Sequence, residues 1–370
     1  MNIVVLDGRT DPHAGLITGA IAEALAKGDE QSQPADGLGT APTGAAQSVM
    51  SQADAAVVLD PGSLVHAREA GTPFCAAVLP GFDVAWGGDL AEADLVIVAH
   101  ERLVPAVVAR GVPTDRVVVA GPVAPSGFAP AADRDALRRE LGLGGAFPLV
   151  LVPAPILDEH GPEVLLVQLS LVTGEVGFLF DVGSDAEAAE HLRRLVPAHG
   201  LRAWMFADGP DSLRRWQAVD LVLCRTRGYE VQRALAVGSP LVLMPPGRSE
   251  VLAAEALESV GAARDADVLA TLSVTLDGAL EKDALTSGRR AIAELDVAES
   301  AGRIAAAVHA GLRRQSQAGA PASPRGLPHG LEPLGEGGLG DAPGRRSSRP
   351  PLDDMEARIE RELQELKKRL

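Results

Sequence analysis

Two series of short apolar runs alternate with segments whose apolar residues return every three or four positions. The first series is "NIVVLD" (2–7), "AAVVLD" (55–60), "PFCAAVLP" (73–80), "DLVIVA" (94–99) and "RVVVAG" (116–121). The second is "FPLVLVPAP" (147–155), "GEVGFLFDVG" (174–183), "LRAWMFAD" (201–208), "DLVLC" (220–224) and "PLVLMPP" (240–246). These runs predict strands. Their continuous apolar character means burial on both faces, which is the signature of a parallel sheet covered by helices. Helical spacing predicts helices over 14–27, 101–110, 185–198, 229–238 and 250–260, with further helices across 283–313 closing the body. Residues 28–50 are polar and rich in Gly and Pro, and predict a loop. The stretch 121–145 is a Pro/Gly-rich connection carrying one helix, the natural hinge between the two series. The expected architecture is α/β, with two Rossmann-like, doubly wound domains over 1–130 and 140–313 and a cleft between them.

After about residue 315 the pattern is lost. Residues 315–351 are low in complexity and cannot bury a core, which predicts a disordered linker. In "PLDDMEARIERELQELKKRL", Leu352, Met355, Ile359, Leu363, Leu366 and Leu370 recur at three- and four-residue spacings. Acidic residues open this amphipathic helix (352–370) and basic ones close it, complementing the macrodipole. So short a helix needs a partner surface. Self-association or protein docking is favoured over contact with a membrane, because Lys and Arg do not dominate its polar face.

A length of 370 residues allows two domains, and 46% apolar against 3% aromatic residues predicts an aliphatic core. The net charge of −16 excludes a general nucleic-acid binder, which needs a broad basic face. Residues 312–370 carry 11 Lys/Arg against 9 Asp/Glu, so the acidity belongs to the body. Cys75 and Cys224 lie inside apolar runs, with no metal or disulfide spacing. The opening strand lacks a basic leader, and no run reaches a membrane span: the most apolar window, 164–182, is interrupted by Gln168, Gly174, Glu175 and Gly177. A cytoplasmic protein is expected, with peripheral placement at the inner face of the membrane as the second expectation.

The densest candidate chemistry lies in "DLVLCRTRGYEVQRALAVGSPLVLMPP" (220–246). Here a strand hands over to a helix at "RTRG", and Arg225, Arg227 and Arg233 crowd the corner. Such a junction attracts anions. This stretch and "FDVAWGGDLAEADLVIVAHERLVPAVVARGVPTDRVVVAGPVAPSGF" (82–128) resemble, in order and spacing, the GT-B glycosyltransferases that include the lipid-linked peptidoglycan GlcNAc transferase and the monogalactosyldiacylglycerol synthases. The resemblance covers roughly 1–313. It implies transfer of a hexose from a UDP-sugar to a lipid or glycan acceptor of the cell envelope, with the donor held by the second domain and no bound metal or other cofactor. On the matching positions it implies His13 as catalytic base, a donor site at Arg225, Thr226, Arg227, Gly228, Glu230 and Arg233, and cleft positions at Asp83, Trp86, His100 and Gly121.

The chain departs from the family pattern at that turn. Arg227 stands where the family has a second glycine, and Arg233 where it has a glutamate that binds ribose; an arginine accepts no hydrogen bond. Two readings of the arginines stay open: they grip a phosphate directly, or they are charges paired with Glu230 after donor binding decayed. His13 can also be a histidine at a helix start near Asp11, and Trp86 a packing residue, while capping explains Glu101 beside His100 equally well. The second overall reading is a GT-B-fold scaffold without catalysis.

Overall fold

The computed structural model describes residues 2–317, apart from 9–13, 29–49, 51, 83, 85, 146, 154, 155, 157–161, 184, 185, 208, 210, 227, 245, 246, 248, 249 and 267. The described residues belong to one compact unit. The chain-order elements of its first half are β1 (Ile3–Leu6), α1 (Ala14–Gly28), β2 (Ala55–Val58), α2 (Pro61–Glu69), β3 (Phe74–Val78), β4 (Leu95–Val98), α3 (Val104–Val108) and β5 (Val117–Val119). They form a five-stranded parallel sheet in the order β1-β2-β3-β4-β5. After α4 (Arg134–Glu140) come β6 (Leu149–Pro153), α5 (Pro162–Ser170), β7 (Gly177–Asp181), α6 (Ala186–Leu195), β8 (Ala203–Phe206), α7 (Ser212–Ala218), β9 (Leu221–Cys224), α8 (Glu230–Ala236), β10 (Leu241–Leu243), α9 (Val251–Ser259) and β11 (Ala263–Asp265). These build a six-stranded parallel sheet, β11-β10-β9-β6-β7-β8. Helices α10 (Leu272–Leu280), α11 (Lys282–Glu294) and α12 (Ser300–Gln317) finish the described chain.

Every residue of β1 to β4, β6, β7, β9 and β10 is buried, as runs apolar on both faces require. Ile17, Ile21 and Leu25, one helical turn apart, pack α1 onto Ile3, Val5, Val57 and Ile97. The opposite face of the same sheet meets Leu64 and Ala67 of α2 and Val107 of α3. Asp60 starts α2 by accepting from Ser63 N at 3.0 Å, with Pro61 pre-setting the first turn.

The closing helices are broken at Asp296, whose left-handed backbone (φ 48°) turns the chain between α11 and α12. Helix α12 then returns to the first sheet, where Ile304, Val308 and Leu312 join the cluster around α1. The sequence spacing did not identify α5, α7, α10 or β11. Among the described residues no helix is long and apolar enough to cross a membrane.

Candidate functional site

The second sheet reverses direction between β6 and β9: β7 and β8 lie to one side of β6, and β9, β10 and β11 to the other. The carboxyl ends of strands beside such a reversal form a crevice in open parallel sheets. The corner after β9, Arg225 to Tyr229, stands at this place. Gly228 holds φ at +87°, and a Cβ there would lie 2.2 Å from Oε2 of Glu230, so the Glu230 carboxylate folds back over the turn. Thr226 is buried, and its Oγ1 has no hydrogen-bond partner among the described residues.

Arg225 donates from Nη2 to Oε2 of Glu250 at 2.5 Å and from Nε to Oε1 at 3.3 Å. The Glu250 side chain is only 1% exposed and also accepts from Gly247 N at 2.8 Å. The pair therefore ties the β9 corner to the loop that follows β10, and the Arg225 charge is balanced within the protein. Arg233, 5% exposed, lies with its guanidinium 5.6 Å from the ring centre of Phe128 and 5.3 Å from that of Trp216. Trp216 is oriented in turn by its Nε1 donating to Asp181 Oδ2 at 3.1 Å. Arg233 thus reaches into aromatic packing between the connecting segment and α7, a desolvated cation–π arrangement.

The first sheet presents its own carboxyl ends. Tyr229 donates its hydroxyl to Asp7 Oδ2 at 3.3 Å and packs in the cluster that includes Ala120 and Val123. The amide of Gln232 presses on Gly81, where a Cβ would fall 2.1 Å from Nε2; its buried Oε1 has no partner among the described residues. Trp86 is buried, its Nε1 without a described partner and its carbonyl accepting from Arg110 Nη1 at 2.7 Å. His100 caps the turn at 101–103 through Nδ1, 3.3 Å from Arg102 N, and stacks on Phe82. Partial burial, above all, holds its pKa below the usual imidazole value. Gly121 keeps φ at +88° against Ser300 and Arg303, whose Nε donates to Ala120 O at 2.7 Å. His13, Asp83 and Arg227 lie outside the described residues. Among the described residues no group of three His, Cys, Asp or Glu could hold a metal ion.

No protein-family model matches the sequence, and no curated protein matches it. Solved structures do match over nearly their whole length. A glycosyltransferase from Rickettsia africae superposes with a TM-score of 0.57 at 11% identity, over 85% of this chain and 97% of that one. Anabaena Alr3699/HepE in complex with UDP-glucose gives 0.54 at 16% identity, over 86% and 99%. The UDP-GlcNAc 2-epimerase of Neisseria meningitidis bound to UDP-GlcNAc gives 0.58 at 9% identity, over 84% and 100%. The chain has the GT-B fold.

Within this GT-B frame the β9 corner brings Arg225, Thr226, Gly228 and Glu230 together, while Arg233 faces the connecting segment. Glu250, Tyr229, Gln232 and Arg303 were not singled out as site residues in the sequence. Helix α8 offered a signal for Gln232: all six residues from Val231 to Ala236 are buried. A helix that short, set between two buried strands, has no polar face, so Gln232 and Arg233 had to point into protein.

Proposed function

We propose that this GT-B chain binds a UDP-hexose at the β9 corner and transfers the sugar to a lipid or glycan acceptor of the cell envelope. The observation that carries the reading is Thr226 Oγ1, buried at the β9 corner beside the switch of the second sheet with no partner among the described residues; Gln232 Oε1, on the helix that follows, is likewise buried without a described partner. Buried polar groups are nearly always satisfied, and a ligand or its bound water satisfies these. Thr226 and Arg227 receive the diphosphate, and Glu230 accepts from the ribose hydroxyls. Arg225 is a positioning residue, since through Glu250 it holds Gly247 and the start of α9 against the corner.

His13 takes the proton of the acceptor hydroxyl as its oxygen attacks the anomeric carbon. The bond from that carbon to the diphosphate oxygen breaks on the opposite face, so configuration inverts. UDP leaves with the bonding pair, its charge met by the corner. The relation to the peptidoglycan GlcNAc transferase and galactolipid synthase group, and a place in the cytoplasm or at the inner face of the membrane, belong to this same reading.

Calorimetry with UDP, UDP-glucose, UDP-galactose and UDP-GlcNAc tests it. Binding should weaken about tenfold in Thr226→Val and in Arg227→Ala, the loss of one hydrogen bond to a charged group. Absence of binding by all four ligands overturns it in favour of a second reading. That reading is a non-catalytic GT-B scaffold that docks or dimerises through 352–370. The internal use of Arg225 and Arg233 favours it. Its own test is solution mass: a chain lacking 352–370 should be monomeric where the full chain is not.

A further inference from the structure

Asp220 precedes β9, at the opposite end of that strand from the corner just described, and gathers three guanidinium groups. Arg138 Nη2 donates to its Oδ2, Arg289 Nη2 donates to its Oδ1 at 2.6 Å, and Arg134 Nη1 stands 3.7 Å from Oδ1. Leu149 N takes the remaining direction on Oδ2 at 2.9 Å. The carboxylate is therefore saturated, yet it answers one of three positive charges. Asp135, exposed on the same helix, contributes the weakest of the effects felt by Arg134.

Each guanidinium is held in place by main-chain carbonyls or by close packing. Arg134 donates to Gln217 O at 3.2 Å and to Val237 O at 3.4 Å, and Arg138 donates to Ala218 O at 2.7 Å. Arg289 follows Gly288, where a Cβ would lie 2.7 Å from Pro240, so α11 sits directly on the start of β10. Arg289 keeps 38% of its side chain exposed, but its Nε is buried with no partner among the described residues.

We propose that Arg134, Arg138 and Arg289 around Asp220 form a second anion site, separate from the sugar-nucleotide corner, that takes a phosphate dianion, either free or as a small monoester. Burying surplus guanidinium charge is costly until a counter-ion is supplied, and a dianion matches the excess of two positive charges. Guanidinium forks already fixed by carbonyls lose little freedom on binding, and their planar donors suit phosphate oxygens. Burial, followed by repulsion from Arg289, pulls Arg134 down to about 10, in keeping with an uncompensated positive field. Chloride, a weakly held monoanion, offers no such match.

The test titrates the full chain with inorganic phosphate by calorimetry, ionic strength being held constant with sodium chloride. One saturable site is expected, weakened at least about tenfold in Arg289→Gln, an exposed position whose loss leaves Asp220 paired to Arg138. Arg289→Lys should bind with intermediate strength, since it keeps the charge and loses the fork. Arg193→Ala, exposed on α6 and paired there with Glu190, should bind phosphate as the unaltered chain does. Glycerol 3-phosphate in a parallel titration distinguishes the sources: tighter binding than phosphate assigns a monoester, weaker binding free phosphate. Phosphate heats no larger than those of sodium chloride, or a site undiminished in Arg289→Gln, overturn the proposal.

Discussion

Replacing Glu250 by Gln tests whether Arg225 serves the fold rather than a ligand. The substitution keeps shape and leaves one amide oxygen for Gly247 N and Arg225 Nη2, while the charge and the acceptor for Arg225 Nε are lost. Arg225, with its side chain 15% exposed, then remains charged beside a neutral group. Stranding one member of a buried pair costs about 3–5 kcal/mol, and the partial solvent face of Arg225 places the expected loss near about 3 kcal/mol. That is a large part of the ~5–15 kcal/mol typical of a folded domain. Arg225→Met alone strands Glu250 in the same way, and the double variant, carrying neither charge, should cost no more than either single change, a coupling energy of at least about 3 kcal/mol. Urea denaturation followed by circular dichroism on the four chains completes the cycle. Coupling below about 0.5 kcal/mol would refute the reasoning, because residues in contact would then behave as independent sites.

Gly121→Ala should lower stability by about 1–3 kcal/mol, since it forces a side chain into a left-handed backbone and against Ser300 and Arg303; thermal denaturation measures it, and an unchanged midpoint would contradict the contact. Burial pushes the Cys75 thiol up to about 11 and Cys224 well above 9. Both cysteines should therefore resist iodoacetamide at pH 8 until denaturant is added. A thiol that stays protonated in the fold while ionising when unfolded makes stability fall as pH rises from 9 through about 11, and Cys75→Ala should flatten that decline. His100 should titrate below 6.5 by NMR; because the fold prefers the neutral ring, its contribution is kept above 6.5 and lost as pH falls through the folded value. Titration at or above 6.5 would remove the assigned cap.

Strand positions were readable because parallel strands buried on both faces leave continuous apolar runs. The corner at 225–229 was readable because Gly228 punctuates the passage from β9 to α8. Pairing order was hidden, since nothing local in "DLVLC" says that β9 lies beside β6 rather than β8. The fate of the arginines was hidden for the same reason. Glu250 is 25 residues beyond Arg225, and Phe128 and Trp216, which enclose Arg233, come from either side of β6 to β8. Helix α10 escaped notice because "LSVTLDGAL" mixes β-branched residues with Gly, weakening its helical signal. It forms because Leu272, Leu276 and Ala279 pack against the second sheet's cluster.

On the proposals above, the balance of charge at the two ends of β9, rather than the number of arginines, decides where an anion is held. At the carboxyl end, Arg225 meets one buried carboxylate and Arg233 two aromatic faces, so the charge most visible in the sequence is largely spent on the protein itself. On the proposed reading, affinity for a diphosphate there rests on the Thr226 hydroxyl, the turn at Gly228 and Arg227. At the amino end, one aspartate faces three arginines that lie 4 and 151 residues apart along the chain, and the surplus is left for solution to match. The sequence advertises the first place and conceals the second, because only folding brings α4 and α11 to the foot of the same strand.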